Sequence, residues 1–325
     1  MKYVYGLLRL LAACTSLALA PVAHAQAEFP TKPMRLIVPG PPGGSTDIIA
    51  RLVGDRMAEI LGQPVLVDNR PGATSIVSMQ ALTTYPADGH TLLLVYTSHV
   101  VNPLVVPNNP FDPLKDFAPV ATLSAGAQIF TIANSVPANN FKEFVAYAKA
   151  NPGKLNYASP GVGSINGLAT QFIGDLAGVK MQEVAYKGAA PILVDLIAGR
   201  VHVYLGTAAS VLPQVKGGKI RAIAVDNETR LPLLPDVPTL AESGVPGVNM
   251  KIWFGLVALP ATPKPIIDKL NTTINRILAL PEVVAKLEAL GSQPVISTPA
   301  QFDALMRSDM AKYRKVVDSA KPASK

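Results

Sequence analysis

The 325-residue chain holds a single cysteine, Cys14, and a single tryptophan. Cys14 lies in an N-terminal stretch that reads as an export signal, so the exported chain is expected to carry no cysteine. That excludes disulfides, cysteine nucleophiles and thiolate metal sites together. Past the signal, no apolar run approaches the roughly 18 to 20 residues that a membrane span requires. Runs of five or six basic residues are also missing. Removing Lys2 and Arg9 with the signal lowers the formal charge from +7 to +5, a mild surplus that argues against nucleic acid and modestly favours small anions. Catalytic signatures are scarce: there is no GxSxG elbow, no HExxH and no recognisable carboxylate pair. His90, His99 and His202 are too far apart in sequence for ligand spacing. No metal, cofactor or catalytic residue is therefore expected, although a Ser-His-Asp set assembled in space stays open.

What is present begins with the leader MKYVYGLLRLLAACTSLALAPVAHA (1–25). Lys2 and Arg9 form a basic start, an apolar run covers Leu10–Ala23, and Ala23-His24-Ala25 supplies the small-x-small pattern of a signal-peptidase site. Cleavage after Ala25 is expected. The competing reading is a lipoprotein box, Leu11-Ala12-Ala13-Cys14, which would lipidate Cys14 and strand an apolar segment on the mature chain. Export without cysteine suits a bacterial periplasm, where a large domain needs no covalent staples.

Beyond the leader, short β-like runs alternate with helical patterns. MRLIVP (34–39), VLVDN (65–69) and TLLLVY (91–96) read as strands, with helices over 46–61 and 74–84. FAPVATLS and QIFTIA follow, then a helix over 140–150 closed by Asn-Pro-Gly. LNYAS, MQEVAYK, VHVYLG and IRAIAV alternate with helices over 165–177, 189–198 and 208–216. IWFGLVAL and helices near 263–279, 282–290 and 299–318 complete the chain. This alternation implies βαβ units and largely parallel sheets, with ligands at the carboxyl ends of the strands. The 30 prolines fall at element ends and read as loop punctuation.

Two loops carry the most chemistry. In Val38-Pro39-Gly40-Pro41-Pro42-Gly43-Gly44-Ser45-Thr46-Asp47, paired glycines let backbone approach a ligand while the prolines stiffen the loop. Ser45 or Thr46 can cap the following helix, whose first amides can grip an anion. No lysine is present to make it a nucleotide P-loop. Ser159-Pro160-Gly161-Val162-Gly163-Ser164-Ile165-Asn166-Gly167 repeats the design. It also nearly matches a dinucleotide fingerprint, with Glu183 about 20 residues on, but an exported chain seldom meets nicotinamide cofactors. Thr74 and Ser75, then Thr97, Ser98 and His99, then Thr207 stand just past strand ends and could converge on the same crevice. Each could equally be an ordinary helix cap. Trp253 and Phe254 read as core or hinge packing.

At these residues the chain resembles the extracytoplasmic receptors of tripartite tricarboxylate transporters, the Bug-type solute-binding proteins. The resemblance rests on FPTKPMRLIVPGPPGGSTDIIARLV, LGQPVLVDNRPGA, DGHTLLL, NYASPGVGS, YKGAAPILVDLIAGRV, RLPLLPDVPTLAESGVPG and WFGLVALPATPKPIIDKLN, in that order. It implies an α/β, two-lobed type II periplasmic binding protein (Venus flytrap) with flanking helices and a hinge. Lobe 1 would comprise 27–124 plus 226–325, and lobe 2 would comprise 125–225. It further implies pincers at Pro39–Asp47 and Ser159–Asn166 closing on a small organic carboxylate. With the strand-end groups added to these pincers, the expected ligand set is Gly40, Pro41, Gly43, Gly44, Ser45, Thr46, Asp47, Thr74, Ser75, Thr97, Ser98, His99, Gly161, Gly163, Ser164, Asn166, Tyr186, Gly206 and Thr207. A monomeric receptor serving the membrane subunits of a transporter, or a sensor kinase, would follow, with an exported hydrolase the remaining alternative. Where similar proteins carry an Asp, this chain has Gly206. That difference removes a partner for a ligand ammonium and is expected to open space, favouring a di- or aromatic carboxylate without an amino group. Gly167 stands where a histidine is common, and Thr74 falls in a segment usually richer in glycine.

Overall fold

The computed structural model describes residues 28–72, 75–106 and 108–320. The leader, with Cys14 and the Ala25 cleavage site, and Thr74 lie outside the described residues. Every described helix and strand falls within the compact unit that begins at Lys32.

The first sheet begins with β1 (Met34–Val38), β2 (Val65–Asn69) and β3 (Thr91–Tyr96). β1 is almost wholly buried, as a continuous apolar run in a sheet interior should be. Helix α1 (Ser45–Leu61) lays Ile49, Val53 and Met57 on that core, positions spaced to share one helical face. It stops at Gly62, whose left-handed backbone returns an N–H to the Ala58 carbonyl. Helix α2 (Ile76–Thr83) follows the second strand. Helix α3 (Ser98–Val105), which the sequence pattern does not announce, follows the third and contains Pro103.

β4 (Ala118–Gly126) belongs to this sheet, yet after Ala127 the chain continues as β5 (Gln128–Ala133) of a second sheet. That sheet adds helix α4 (Phe141–Ala150), β6 (Asn156–Ser159), α5 (Ile165–Ala177), β7 (Gln182–Ala185), α6 (Ala189–Ile197), β8 (Val203–Thr207), α7 (Ala208–Lys216) and β9 (Ile220–Asp226). The chain then returns through β10 (Ile252–Ala258), α8 (Lys264–Leu278), α9 (Pro281–Ala289), the short β11 (Ser292–Pro294) and α10 (Pro299–Ala320). The strand orders are β11-β4-β10-β3-β1-β2 and β7-β6-β8-β5-β9.

The sheets are mixed rather than largely parallel. β1 pairs in parallel with β2 and β3, and β6 with β7 and β8. β4, β5, β9, β10 and β11 enter antiparallel ladders. The physical reason is the crossing itself. A strand that leaves one sheet and continues directly into another has no crossover helix to reverse it, so it meets its neighbours head to tail.

The two crossings are tied together. Gln128 pairs with Asp226, Gln128 Nε2 donates to the Met250 carbonyl at 2.7 Å, and Met250 N donates to Asp226 Oδ2 at 3.0 Å. In the first sheet Ile37, Leu93, Val95, Phe117, Trp253, Phe302 and Met306 form one core. Phe302 lies directly over Gly255, where an ideal Cβ would sit 2.3 Å from the ring. Among the described residues no helix is long and apolar enough to cross a membrane.

Candidate functional site

The carboxyl ends of β1 and β3 in one sheet and β6 and β8 in the other face a common crevice. Pro39, Gly40, Pro41, Gly44, Ser45 and Thr46 form its first wall. The loop is fixed from behind. Gly43 adopts φ +79°, which glycine tolerates best, and its N–H donates to Asp47 Oδ2 at 2.9 Å. Gly44 N donates to the Pro41 carbonyl at 3.2 Å. Asn69 Nδ2 reaches both the Gly40 carbonyl (2.8 Å) and Asp47 Oδ1 (3.0 Å).

Asp47 is thus a brace and does not line the crevice. Burial pushes its carboxyl up, but hydrogen bonds from Arg51, Gly43 and Asn69 outweigh that and hold it below the usual range. The first intrahelical bond of α1 runs from Ile48 N to the Gly44 carbonyl, and no side chain caps the helix. The Ser45 and Thr46 amides therefore have no acceptor among the described residues. Free first-turn amides on a 17-residue helix make an anion cradle.

The facing wall contributes Pro160 and Asn166 from the second loop, then Lys187, Gly188 and Ala189 at the start of α6, with Tyr204 and Thr207 from β8. Gly188, at φ +111°, touches the first loop so closely that a Cβ would lie 2.3 Å from Pro41 Cδ. Asn166 is locked by donating to Gln128 Oε1 (2.7 Å) and the Leu205 carbonyl (2.9 Å). Gly72, Ser75, Tyr96 and Phe254 complete the lining. Helix starts at α1, α2, α5, α6 and α7 thereby converge on one space. Among the described residues Lys187 is the sole charged side chain along it, and it is a cation.

The structure brings Gly40, Pro41, Gly44, Ser45, Thr46, Ser75, Asn166 and Thr207 to the crevice and leaves the other described candidates off its walls. Thr97 ties β3 to β10, accepting from Trp253 N at 3.0 Å. Ser98 Oγ accepts the Ile165 amide at 3.1 Å, joining α3 to the start of α5. His99 is buried edge-on against Phe117, and burial holds its imidazole down at about 4. Gly161 gives the second loop its shape at φ +150° and accepts from Ser164 N. Gly163 sits where a Cβ would strike Val105 and Val106 at 2.7 and 2.8 Å. Ser164 caps α5 by accepting the Gly167 amide at 3.2 Å. The Tyr186 hydroxyl donates to Asp195 at 2.7 Å, and burial together with that carboxylate pushes it up to about 12.

Gly206 does not open space. A Cβ there would meet Val211 at 2.3 Å and the Tyr204 ring at 2.6 Å, so its place is already filled. The histidines do not converge: His202 Nδ1 contacts Asn156, and His90 lies beside Asp88. Among the described residues no group of His, Cys, Asp or Glu is placed to hold a metal.

Sequence reasoning reads Phe254 as core or hinge packing and passes over Tyr96, Tyr204 and Lys187-Gly188-Ala189. For the last three a signal exists, since glycine followed by a small residue at a helix start repeats Gly44-Ser45. The aromatics give none, because a strand-end aromatic reads the same whether it faces core or crevice.

The family model described as tripartite tricarboxylate transporter family receptor matches residues 49–321. Protein BugT of Bordetella pertussis is 34% identical over 291 residues, covering 89% of each chain. A solved R. palustris structure with adipate superposes with a TM-score of 0.88 at 33% identity, covering 90% of this chain and 98% of that one. MatC from Rhodopseudomonas palustris with bound malate gives 0.84 at 30% identity, covering 89% of this chain and 100% of that one.

Proposed function

The chain belongs to the tripartite tricarboxylate transporter receptor family, and from that premise we propose that it captures a small organic carboxylate lacking an ammonium group. The carboxylate lies against the Ser45 and Thr46 amides, with Lys187 adding positive potential from the facing wall. One observation carries the reading. Among the described residues, five helix starts and one lysine line the crevice, and no acidic side chain does. A carboxylate is favoured there, whereas an ammonium would find no partner. The adipate and malate of the two similar structures, both free of amino groups, support this class.

The protein acts in the periplasm after cleavage behind Ala25, binding without turnover and handing the ligand to membrane subunits. Two lobes, 27–124 plus 226–325 and 125–225, close on the ligand; the sheet-to-sheet passages at Ala127 and beyond Asp226 support that division.

A thermal-shift screen over mono-, di- and tricarboxylates and amino acids tests the reading. Ligand at 100 times its Kd adds about 2.7 kcal/mol to the folded state. Carboxylates are expected to raise the melting temperature and to be recovered unchanged, whereas aspartate and glutamate leave it in place. Tight aspartate binding with simple carboxylates ignored would overturn it.

A further inference from the structure

Tyr96 closes β3, and it is the one residue of that strand left partly exposed. Its ring lies beside its cross-strand partner Phe254, with centroids 6.4 Å apart and planes 29° from parallel, so packing fixes it on the crevice wall. Its hydroxyl stands beside those of Ser75 and Ser98. Ser98 Oγ is already an acceptor, taking the Ile165 amide of the second sheet system at 3.1 Å. A hydroxyl has one hydrogen and two lone pairs, so the Ser98 hydrogen remains for the Tyr96 oxygen. Ser75 is the odder neighbour. It is 4% exposed and holds φ +77°, a left-handed backbone that disfavours any residue with a Cβ. It does not cap α2, and its buried Oγ closes no hydrogen bond. Neither conformation nor capping accounts for a serine there, whereas the Tyr96 hydroxyl beside it does.

We propose that Tyr96 is a ligand-binding residue, its hydroxyl donating to an oxygen of the bound acid, and that Ser98 and Ser75 are positioning residues that turn this donor toward the crevice. This rests on the carboxylate reading above and adds a neutral side-chain donor to the helix amides. When both serines give their hydrogens to the phenol oxygen, its lone pairs are filled and its own hydrogen is left for the crevice. Burial raises the phenol pKa, which keeps that hydrogen in place. The arrangement suits a carboxylate or carbonyl oxygen and disfavours a group that offers only N–H. The Ile165 amide sets the Ser98 hydrogen, so a contact between the two sheet systems reaches the ligand through two hydroxyls.

The test is isothermal titration of adipate, succinate and benzoate into wild type, Tyr96→Phe, Ser98→Ala, the double variant and Ser75→Gly. Tyr96→Phe keeps the ring beside Phe254 and is expected to weaken the acids that bind by about tenfold. Ser98→Ala weakens them about fivefold on its own but only about twofold in the Tyr96→Phe background, since the hydroxyl it orients is gone. Ser75→Gly relieves the left-handed backbone and raises the ligand-free melting temperature by about 2 °C, yet weakens binding about threefold. A serine with a purely structural role would move the melting temperature and leave affinity alone. Should Ser98→Ala fail to fold, Tyr96→Phe and Ser75→Gly decide the matter. Binding by Tyr96→Phe within about twofold of wild type, losses that multiply in the double variant, or unchanged affinity in Ser75→Gly overturns the inference and leaves the carboxylate reading standing. Failure of all three acids to bind wild type defeats the carboxylate reading itself.

Discussion

The two glycine-proline loops look interchangeable in sequence, yet the fold uses them differently. The first, Pro39–Asp47, gives six residues to the crevice and leaves the opening amides of α1 free. The second, Ser159–Asn166, gives Pro160 and Asn166. Its helix is already occupied, with the Ile165 amide taken by Ser98 and the Gly167 amide by Ser164. Its glycine at 163 serves close approach to Val105 and Val106 rather than to a ligand. One loop keeps its helix amides free for a ligand, and the other fastens the two sheet systems together. A glycine-rich turn before a helix therefore signals intimate backbone contact, and only the fate of the first-turn amides tells whether the contact is with a ligand or with the protein.

The strongest test of that division is Gly44→Leu. Gly44 has an ordinary φ of −80°, so a side chain is tolerated conformationally, but it sits on the crevice wall, where a Cβ would meet the Pro41 carbonyl at 3.3 Å. Carboxylate affinity should fall about 100-fold or more, near 3 kcal/mol, with the ligand-free melting point unchanged. Gly163→Val should do the reverse. At φ +79° and with Val105 in the way, it should cost about 2–3 kcal/mol of stability, read by denaturant unfolding, while measurable binding survives. Identical behaviour of the two variants would erase the contrast.

The second loop's anchor carries a pH dependence. Asn166 hangs from Gln128, which is paired with the buried Asp226. Burial raises the Asp226 carboxyl from 3.8 to about 6, against the opposing pull of Met250 N–H, Lys312, Lys251 and Gln128. A carboxyl raised on folding contributes stability below its unfolded value and loses it as pH rises through about 6. Wild type should thus lose about 2 kcal/mol between pH 4 and pH 7 relative to Asp226→Asn, whose neutral amide is indifferent to pH. Parallel pH profiles for the two proteins would remove Asp226 from the account. The smallest effect belongs to Ser98→Ala. Losing the acceptor for the Ile165 amide should cost about 1 kcal/mol, seen as ligand binding weakened about fivefold through faster release.

Much of this architecture is legible in the sequence because its signals are local. MRLIVP must be a buried strand, and Gly62 and Asn-Pro-Gly must end helices. The mixed pairing is not legible, since the direction of β4, β5, β9 and β10 depends on how the chain crosses between sheets. Helix α3 escapes because SHVVNPLV is β-branched and holds Pro103. It forms where α10 packs beside it, a tertiary effect that overrides propensity. In the site, Gly44, Ser45 and Thr46 follow from helix-terminus chemistry alone. Tyr204 does not, because its orientation depends on the missing side chain at Gly206, and a glycine in a strand does not announce what lies upon it.

The most direct measurement is a crystal structure of the protein with a bound carboxylate such as benzoate or adipate. The account predicts carboxylate oxygens within hydrogen-bonding distance of the Ser45 and Thr46 amides, with the body of the ligand inside the crevice. A carboxylate held at the start of α5, or a ligand outside the crevice, would contradict it.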